Sequence, residues 1–393
     1  MESIVVIVTM SVLIMVSPFL SRLTKIPVAV VEILLGSIAA LLGLFGSAEN
    51  GLLPLLAKVG FLYLMFLAGM EVNLREFGRI GNTLMRRAIA YFVIMYALAF
   101  FITLSLDLSP IYIAALPIVS LGMIMALINE YGRNEPWLNL ALTIGIIGEL
   151  ISIAALTILS GTVQYGWGWE FARIMMTLLG FLLVVVAFFK GVKVLFWWFP
   201  EIKRLIMPDD NRQDQDVRVS IALFFVLVAA MLYLGLEVVL GAFVAGMFIA
   251  SFFEHKAELP EKLSSFGFGF LVPIFFIYVG STFELWALFD PQVLSLALWM
   301  VVAMVAIRLV SSLVYLRFLG LRNTLLFGLG DSMPLSFLVA IATIGYGGGL
   351  LSQSEYFAFI LASMIQAVGI MLLIQIIYTL TGKTAPNRPL KLH

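Results

Sequence analysis

One carboxylate stands out because the residues on both sides of it are apolar. Glu149 lies in the middle of TIGIIGELISIAA, residues 143–155, within an apolar run over residues 137–161. An ionised side chain at bilayer depth costs at least ~2.5 kcal/mol, and such residues usually mark ion or proton pathways. A carboxylate can hold either a proton or a cation. Glu149 is therefore the first candidate for an ion-carrying group.

Two further charges lie inside apolar runs, and they extend this hypothesis. Arg308 is near the centre of one run, and Asp331 lies in another. A low dielectric favours the protonated carboxyl, whereas a nearby guanidinium favours the ionised one, so a proton and a cation can compete for Glu149. The structural alternative for Glu149 is a salt bridge with Arg308, and Asp331 could instead cap a helix.

The composition indicates a polytopic membrane protein and excludes several other classes. Of the 393 residues, 62% are hydrophobic and 12% are charged, which is too little charge for a soluble domain of this length. The chain has no cysteine, and its only histidines, His255 and His393, lie in polar segments. The net charge is zero, and no protease-like or metal constellation is visible. We expect no enzymatic activity, no cofactor, no resident metal and no nucleic-acid partner.

About thirteen transmembrane helices are predicted, since each span needs roughly 20 apolar residues. The predicted spans are 4–20, 27–46, 53–71, 84–106, 110–129, 137–161, 172–198, 218–235, 237–253, 266–287, 293–316, 322–346 and 355–380. Twenty of the 23 basic residues follow odd-numbered spans, the exceptions being Lys58, Arg173 and Arg308. The excess of basic residues on one side predicts an outside N-terminus and a cytoplasmic C-terminus.

Weak internal similarity predicts two inverted-topology repeats on either side of the polar link 200–218. VEILLGSIAALLG in span 2 resembles LEVVLGAFVAGMF in span 9, and FLYLMFLAGMEVNL in span 3 resembles FLVPIFFIYVGSTFEL in span 10. The offset is a little over 200 residues in both cases, and the same offset pairs span 5 with span 12. Inverted repeats are a common plan of secondary transporters.

Spans 5 and 12 both contain helix-breaking residues near their midpoints. These are Pro117, Ser120 and Gly122 in span 5, and Gly330, Asp331, Ser332 and Pro334 in span 12. Proline removes a backbone donor, and interrupted spans in corresponding positions of two halves point to a transport site. The sequence therefore predicts two discontinuous helices that cross near the bilayer midplane.

Three segments resemble the second cation:proton antiporter family, the Kef-like and NapA-like proteins. They are KIPVAVVEILLGSIAALLGL, LLAKVGFLYLMFLAGMEVNL and LEVVLGAFVAGMFIAS. The resemblance covers essentially the whole chain and implies an all-α NapA/NhaA-like fold. Family members carry a pair of polar or acidic residues on the sixth span, and Gly148 and Glu149 fall at that pair. The resemblance makes Glu149 the carrier, Arg308 its charge partner and Ser120 a cation ligand, while Gly148 leaves the first member of the pair absent.

The resemblance also implies a division into a mobile core and a dimerisation scaffold. The expected segments are scaffold helices 1–3 in 1–83, core helices 4–6 in 84–161, linker helix 7 and a cytoplasmic loop in 162–217, scaffold helices 8–10 in 218–291, and core helices 11–13 with a short tail in 292–393. The core would slide against the scaffold in an elevator motion.

The sequence as a whole predicts an antiporter that exchanges Na⁺ or K⁺ for H⁺. The protein is expected to be a homodimer in the lipid bilayer of a bacterial or archaeal inner membrane. With one carboxylate per site, we expect electroneutral exchange. The alternatives are an ion-coupled transporter of an organic anion, which Arg308 would bind directly, and a gated cation channel, which would need a continuous polar path.

Overall fold

The computed structural model describes most of the chain, and every element in the described part is helical. The described residues are 2–24, 26–45, 52–72, 81–132, 135–166, 168–199, 201–202, 214–236, 238–253, 256 and 258–381. The histidines and most of the polar link 200–218 lie outside them.

The helices follow one another with short connections. They are α1 (Glu2–Thr24), α2 (Val28–Leu41), α3 (Leu52–Met70), α4 (Asn82–Ser105), α5 (Ile111–Ala115), α6 (Leu121–Tyr131), α7 (Pro136–Tyr165), α8 (Trp169–Trp198), α9 (Gln215–Leu234), α10 (Val238–Phe252), α11 (Leu259–Phe266), α12 (Val272–Thr282), α13 (Pro291–Ser312), α14 (Leu316–Gly330), α15 (Leu335–Gly347) and α16 (Gln353–Leu380). A π-helical turn, Gly267–Leu271, joins α11 to α12.

Nine stretches in the described part of the chain are long and apolar enough to cross a membrane. One of them, Pro291–Gly347, contains α13, α14 and α15, and two shorter apolar helices, α2 and α10, add to the nine. Long helices with few charges are what a bilayer requires, because each backbone group must be satisfied within its own helix. The chain is an integral membrane protein, while the count of thirteen spans stays a prediction.

The chain forms two compact units. Unit 1 comprises residues 1–24, 31–80 and 157–282, and unit 2 comprises residues 25–30, 81–156 and 283–393. Unit 1 therefore holds α1, α3 and α8–α12 with most of α2, and unit 2 holds α4–α6, α13–α16 and most of α7.

Glycines let the helices of unit 1 pack backbone against backbone. A Cβ at Gly246 of α10 would lie 1.9 Å from the carbonyl oxygen of Phe66 in α3. A Cβ at Gly280 of α12 would lie 2.0 Å from the carbonyl oxygen of Ile33 in α2. Small residues at such crossings allow the close approach on which helix association in membranes depends.

The glycine contacts pair α3 with α10 and α12 with α2. In the predicted repeat, α3 corresponds to α12 and α10 corresponds to α2, so each helix pair is the counterpart of the other. This correspondence supports the inverted repeat, which itself stays a prediction.

The substitution Gly246→Ala tests this packing in unit 1. Its Cβ would meet backbone that cannot rotate away, so we expect α3 and α10 to separate and the protein to lose about 1–3 kcal/mol of stability. The melting temperature of the detergent-solubilised protein should fall by several degrees. Gly180→Ala on α8 is the matched control, because a Cβ there meets nothing within 4 Å. Equal melting temperatures of the two variants would contradict the packing account.

Candidate functional site

Unit 2 contains two interruptions of helical backbone. The first interruption separates α5, which ends at Ala115, from α6, which begins at Leu121. It contains Pro117, which has no backbone donor, and Ser120, which is extended and only 7% exposed. Ser120 is the N-cap residue of α6 but makes no side-chain cap hydrogen bond. Other groups must therefore satisfy the amides at the start of α6.

Helix α7 supplies the acceptors for two amides of the first interruption. The Leu121 amide donates to Oε2 of Glu149 at 2.8 Å, and the Val119 amide donates to Oγ of Ser152 at 2.9 Å. Glu149 and Ser152 are three residues apart, so they lie on the same face of the helix. Glu149 is 1% exposed. Its carboxylate thus lies at the N-terminal end of α6, where the helix dipole favours a negative charge.

Arg308 of α13 satisfies the carbonyl groups on the other side of the first interruption. Its Nη1 donates to the carbonyl oxygen of Leu116 at 2.7 Å, and its Nη2 donates to that of Ile118. Nη1 also donates to the carbonyl oxygen of Met304, one turn earlier in α13, at 3.0 Å. Its Nε donates to the carbonyl oxygen of Asp331 at 2.9 Å. A side chain that is fully buried therefore holds backbone from both interruptions.

The second interruption lies between α14 and α15. Helix α14 ends at Gly330, and Asp331, Ser332 and Pro334 precede α15, which begins at Leu335. The Ser332 hydroxyl donates to the carbonyl oxygen of Gly328 at 2.6 Å. This hydrogen bond ties Ser332 to the last turns of α14.

Asp331 has one satisfied and one unsatisfied carboxylate oxygen. Its Oδ2 accepts a hydrogen bond from the Tyr91 hydroxyl of α4, while its Oδ1 is buried with no hydrogen-bond partner among the described residues. Asp331 is 2% exposed. The hypothesis that Asp331 only caps a helix does not account for the unsatisfied oxygen, because a buried acceptor without a partner is costly.

The predicted helix-breaking residues lie at the two interruptions, except that Gly122 lies inside α6. Gly122 is the second residue of α6 and so lies inside the helix, beyond the interruption. A glycine can adopt helical dihedrals, whereas Pro117 cannot donate a backbone hydrogen bond. The first interruption therefore contains the proline and ends before Gly122.

Sequence reasoning missed three contributors to the site. Ser152 could have been found from its spacing of three residues from Glu149. Tyr91 lies on a helix 240 residues from its partner Asp331, and no local pattern links them. Trp137 packs against the second interruption, where a Cβ at Gly330 would lie 2.7 Å from the indole ring, and its contact depends on tertiary structure alone.

Among the residues of unit 2 whose side chains the structure describes, the buried charged ones are Glu149, Arg308 and Asp331. Two carboxylates accompany one guanidinium, so the ionised group has a formal charge of minus one. One proton or one monovalent cation would neutralise it. Burying net charge away from water is expensive.

Comparisons with known proteins show which family the chain resembles. Residues 8–377 match the family model described as the transmembrane sodium/hydrogen exchanger. The chain is 26% identical to YjbQ of Bacillus subtilis over 366 residues, which cover 88% of this chain and 58% of YjbQ. It is 24% identical to the Methanocaldococcus jannaschii protein named "Probable Na(+)/H(+) antiporter 3", over 90% of this chain and 91% of that protein.

A solved structure shows the same fold. The sodium proton antiporter MjNhaP1 from Methanocaldococcus jannaschii matches with a TM-score of 0.62 over 98% of both chains, at 16% sequence identity. At that identity the likeness concerns the fold alone.

The substitution Arg308→Gln tests whether one guanidinium holds both interruptions. Each buried carbonyl group that is left without a donor typically costs about 1–3 kcal/mol. We expect amide hydrogen exchange to rise at residues 116–121 and at 331–335 in the same variant. Arg173→Gln is the control, because Arg173 forms an exposed pair with Glu170. Faster exchange at only one of the two segments would contradict the shared role of Arg308.

Proposed function

We propose that this chain, which belongs to the sodium/hydrogen exchanger family, exchanges Na⁺ or K⁺ for H⁺ across the membrane with Glu149 as the shared carrier. The observation that carries the proposal is the position of the Glu149 carboxylate. It is buried, it lies at the N-terminal end of α6 beside the first interruption, and it is accompanied by one guanidinium and a second acid. A carboxylate so placed can hold a proton or a cation in turn.

Ser120, the adjacent backbone of the interruption and Asp331 complete the proposed site. Oxygen ligands are those that hard cations such as Na⁺ prefer. Ser120 has a hydroxyl next to the Leu121 amide that Glu149 binds, and the Oδ1 atom of Asp331 has no hydrogen-bond partner among the described residues. Arg308 acts as the charge partner of the site through the backbone it holds. The transported cation is the substrate, and no resident cofactor is proposed.

Alternating access would follow from movement of unit 2 as an elevator. Unit 2 carries every residue of the proposed site, and unit 1 is held together by glycine-mediated helix contacts. We propose that unit 1 is the scaffold of a homodimer in a bacterial or archaeal inner membrane. The N-terminus would lie outside and the C-terminus in the cytoplasm, as the basic residues indicate.

Transport of an organic anion by Arg308 is less well supported by the geometry. Each guanidinium nitrogen of Arg308 donates to at least one backbone carbonyl. These hydrogen bonds use four of the five N–H groups of the guanidinium. A bidentate anion would therefore have to displace at least one of them and leave a buried carbonyl group unsatisfied.

The substitution Glu149→Gln tests the carrier directly. The amide oxygen of glutamine can still accept from the Leu121 amide, so the fold should be kept while the charge is lost. In proteoliposomes with a pH gradient, we expect exchange of Na⁺, K⁺ or Li⁺ for H⁺ to fall by at least about 100-fold, because the group would hold neither ion.

A buried carboxylate of unit 1 offers the matched control for that experiment. Glu32 is 3% exposed and accepts from the Ser17 hydroxyl at 3.2 Å. Glu32→Gln should keep most of the exchange activity. Native exchange rates in Glu149→Gln, or equal losses in both variants, would contradict the assignment of Glu149.

The balance of buried charge predicts electroneutral exchange. With two acids and one base, the site is neutral when it holds one proton and again when it holds one monovalent cation. Jumps of Na⁺ or K⁺ concentration on a solid-supported membrane should therefore give no sustained current, while pH-sensitive dyes record proton movement. A sustained current that scales with exchange would rule out one-for-one stoichiometry.

A further inference from the structure

The side chain of Val119 packs against Gly148, the residue before Glu149 on α7. Val119 lies in the first interruption and is 1% exposed. A Cβ built on Gly148 would lie 2.8 Å from Cβ of Val119, 2.9 Å from its Cγ1 and 3.0 Å from its Cγ2. The isopropyl group thus fills the space that a side chain at residue 148 would enter.

Val119 has little freedom to move away from Gly148. A β-branched side chain is restricted about its first torsion, so no rotation removes all three carbon atoms. The backbone of Val119 is also fixed, because its amide donates to Ser152 and the preceding carbonyl of Ile118 accepts from Arg308. The close contact therefore cannot be relieved by a small local adjustment.

Gly145, one turn earlier on α7, also has close neighbours, but they are flexible side chains. A Cβ there would lie 2.8 Å from Cδ2 of Leu121 and 2.9 Å from Cδ1 of Ile124. These atoms are the far ends of flexible side chains, which can move at small cost. Gly145 and Gly148 thus share a helix and a face, but only Gly148 meets a rigid neighbour.

We infer that Val119 and Gly148 form a size-matched pair that keeps a second polar side chain out of the Glu149 site. The pair determines how many carboxylates α7 presents there, and so the charge that one transport cycle moves. This inference rests on the proposed function, since it concerns the same site. It makes Val119 a specificity-determining residue that contributes through its volume.

The steric exclusion of a side chain at residue 148 can be tested by thermal stability, without a transport assay. Alanine is a better helix former than glycine, so Gly148→Ala should raise the melting temperature if residue 148 had free space. We expect it instead to lower the melting temperature in the native background, and to be neutral or stabilising when combined with Val119→Gly. Gly145→Ala is the control, and Val119→Gly should not change its effect. If Gly148→Ala changed the melting temperature equally with and without Val119→Gly, the proposed contact between the two residues would be overturned.

The effect on the transported charge is tested with Gly148→Asp, by measuring exchange in proteoliposomes and current on a solid-supported membrane. Alone, it should reduce cation-driven proton exchange by about tenfold or more, because the carboxylate cannot fit beside Val119. Combined with Val119→Gly, exchange should recover and should now carry net charge. Exchange at the native rate by Gly148→Asp alone would overturn the inference. A folded double variant that exchanges ions without a current, or that does not exchange ions at all, would also overturn it.

The stability and transport experiments distinguish a failure of this inference from a failure of the proposed function. If native protein moved no cation against protons, or if Glu149→Gln kept full exchange, the carrier assignment would fail. The melting temperatures would still decide whether Val119 excludes a side chain at residue 148.

Discussion

The structure of unit 2 depends on satisfying backbone groups that two interrupted helices expose inside a membrane protein. In hydrocarbon an unpaired amide or carbonyl costs several kcal/mol. The amides of the first interruption bind side chains of α7, and its carbonyls bind Arg308, which also binds the carbonyl of Asp331 in the second interruption. Charged residues therefore stabilise backbone that the two helices cannot satisfy themselves.

This constraint gives Glu149 two physical roles at once. Its buried carboxylate accepts a hydrogen bond from the Leu121 amide at the start of α6, and it is also the ion carrier that we propose. A structural salt bridge and an ion site are often treated as alternatives. Arg308 donates hydrogen bonds to backbone carbonyls of both interruptions, so its guanidinium has a structural role beside the charge-partner role that we propose. The carrier role that we propose for Glu149 is therefore compatible with the structural role of its carboxylate.

Much of the fold was predictable because membrane helices have strong local signals. Long apolar runs predicted the helices, and Pro117 and Pro334 predicted the interruptions because proline lacks an amide donor. Gly122 was a weaker guide, since glycine is compatible with a helix. The acceptors of Arg308 and the contact between Tyr91 and Asp331 join residues far apart in sequence. Only tertiary packing determines such pairs, which is also why Val119 could not be found from the sequence.

The most direct test of the central claim is to count protons released when the purified protein binds Na⁺ or K⁺. Calorimetric titrations in buffers of different ionisation enthalpy give that number without any transport. If a single carboxylate holds either ion, cation binding below the apparent pKa of the site should release one proton, and Glu149→Gln should release none. Cation binding by native protein with no proton release, or unchanged release from Glu149→Gln, would contradict the account.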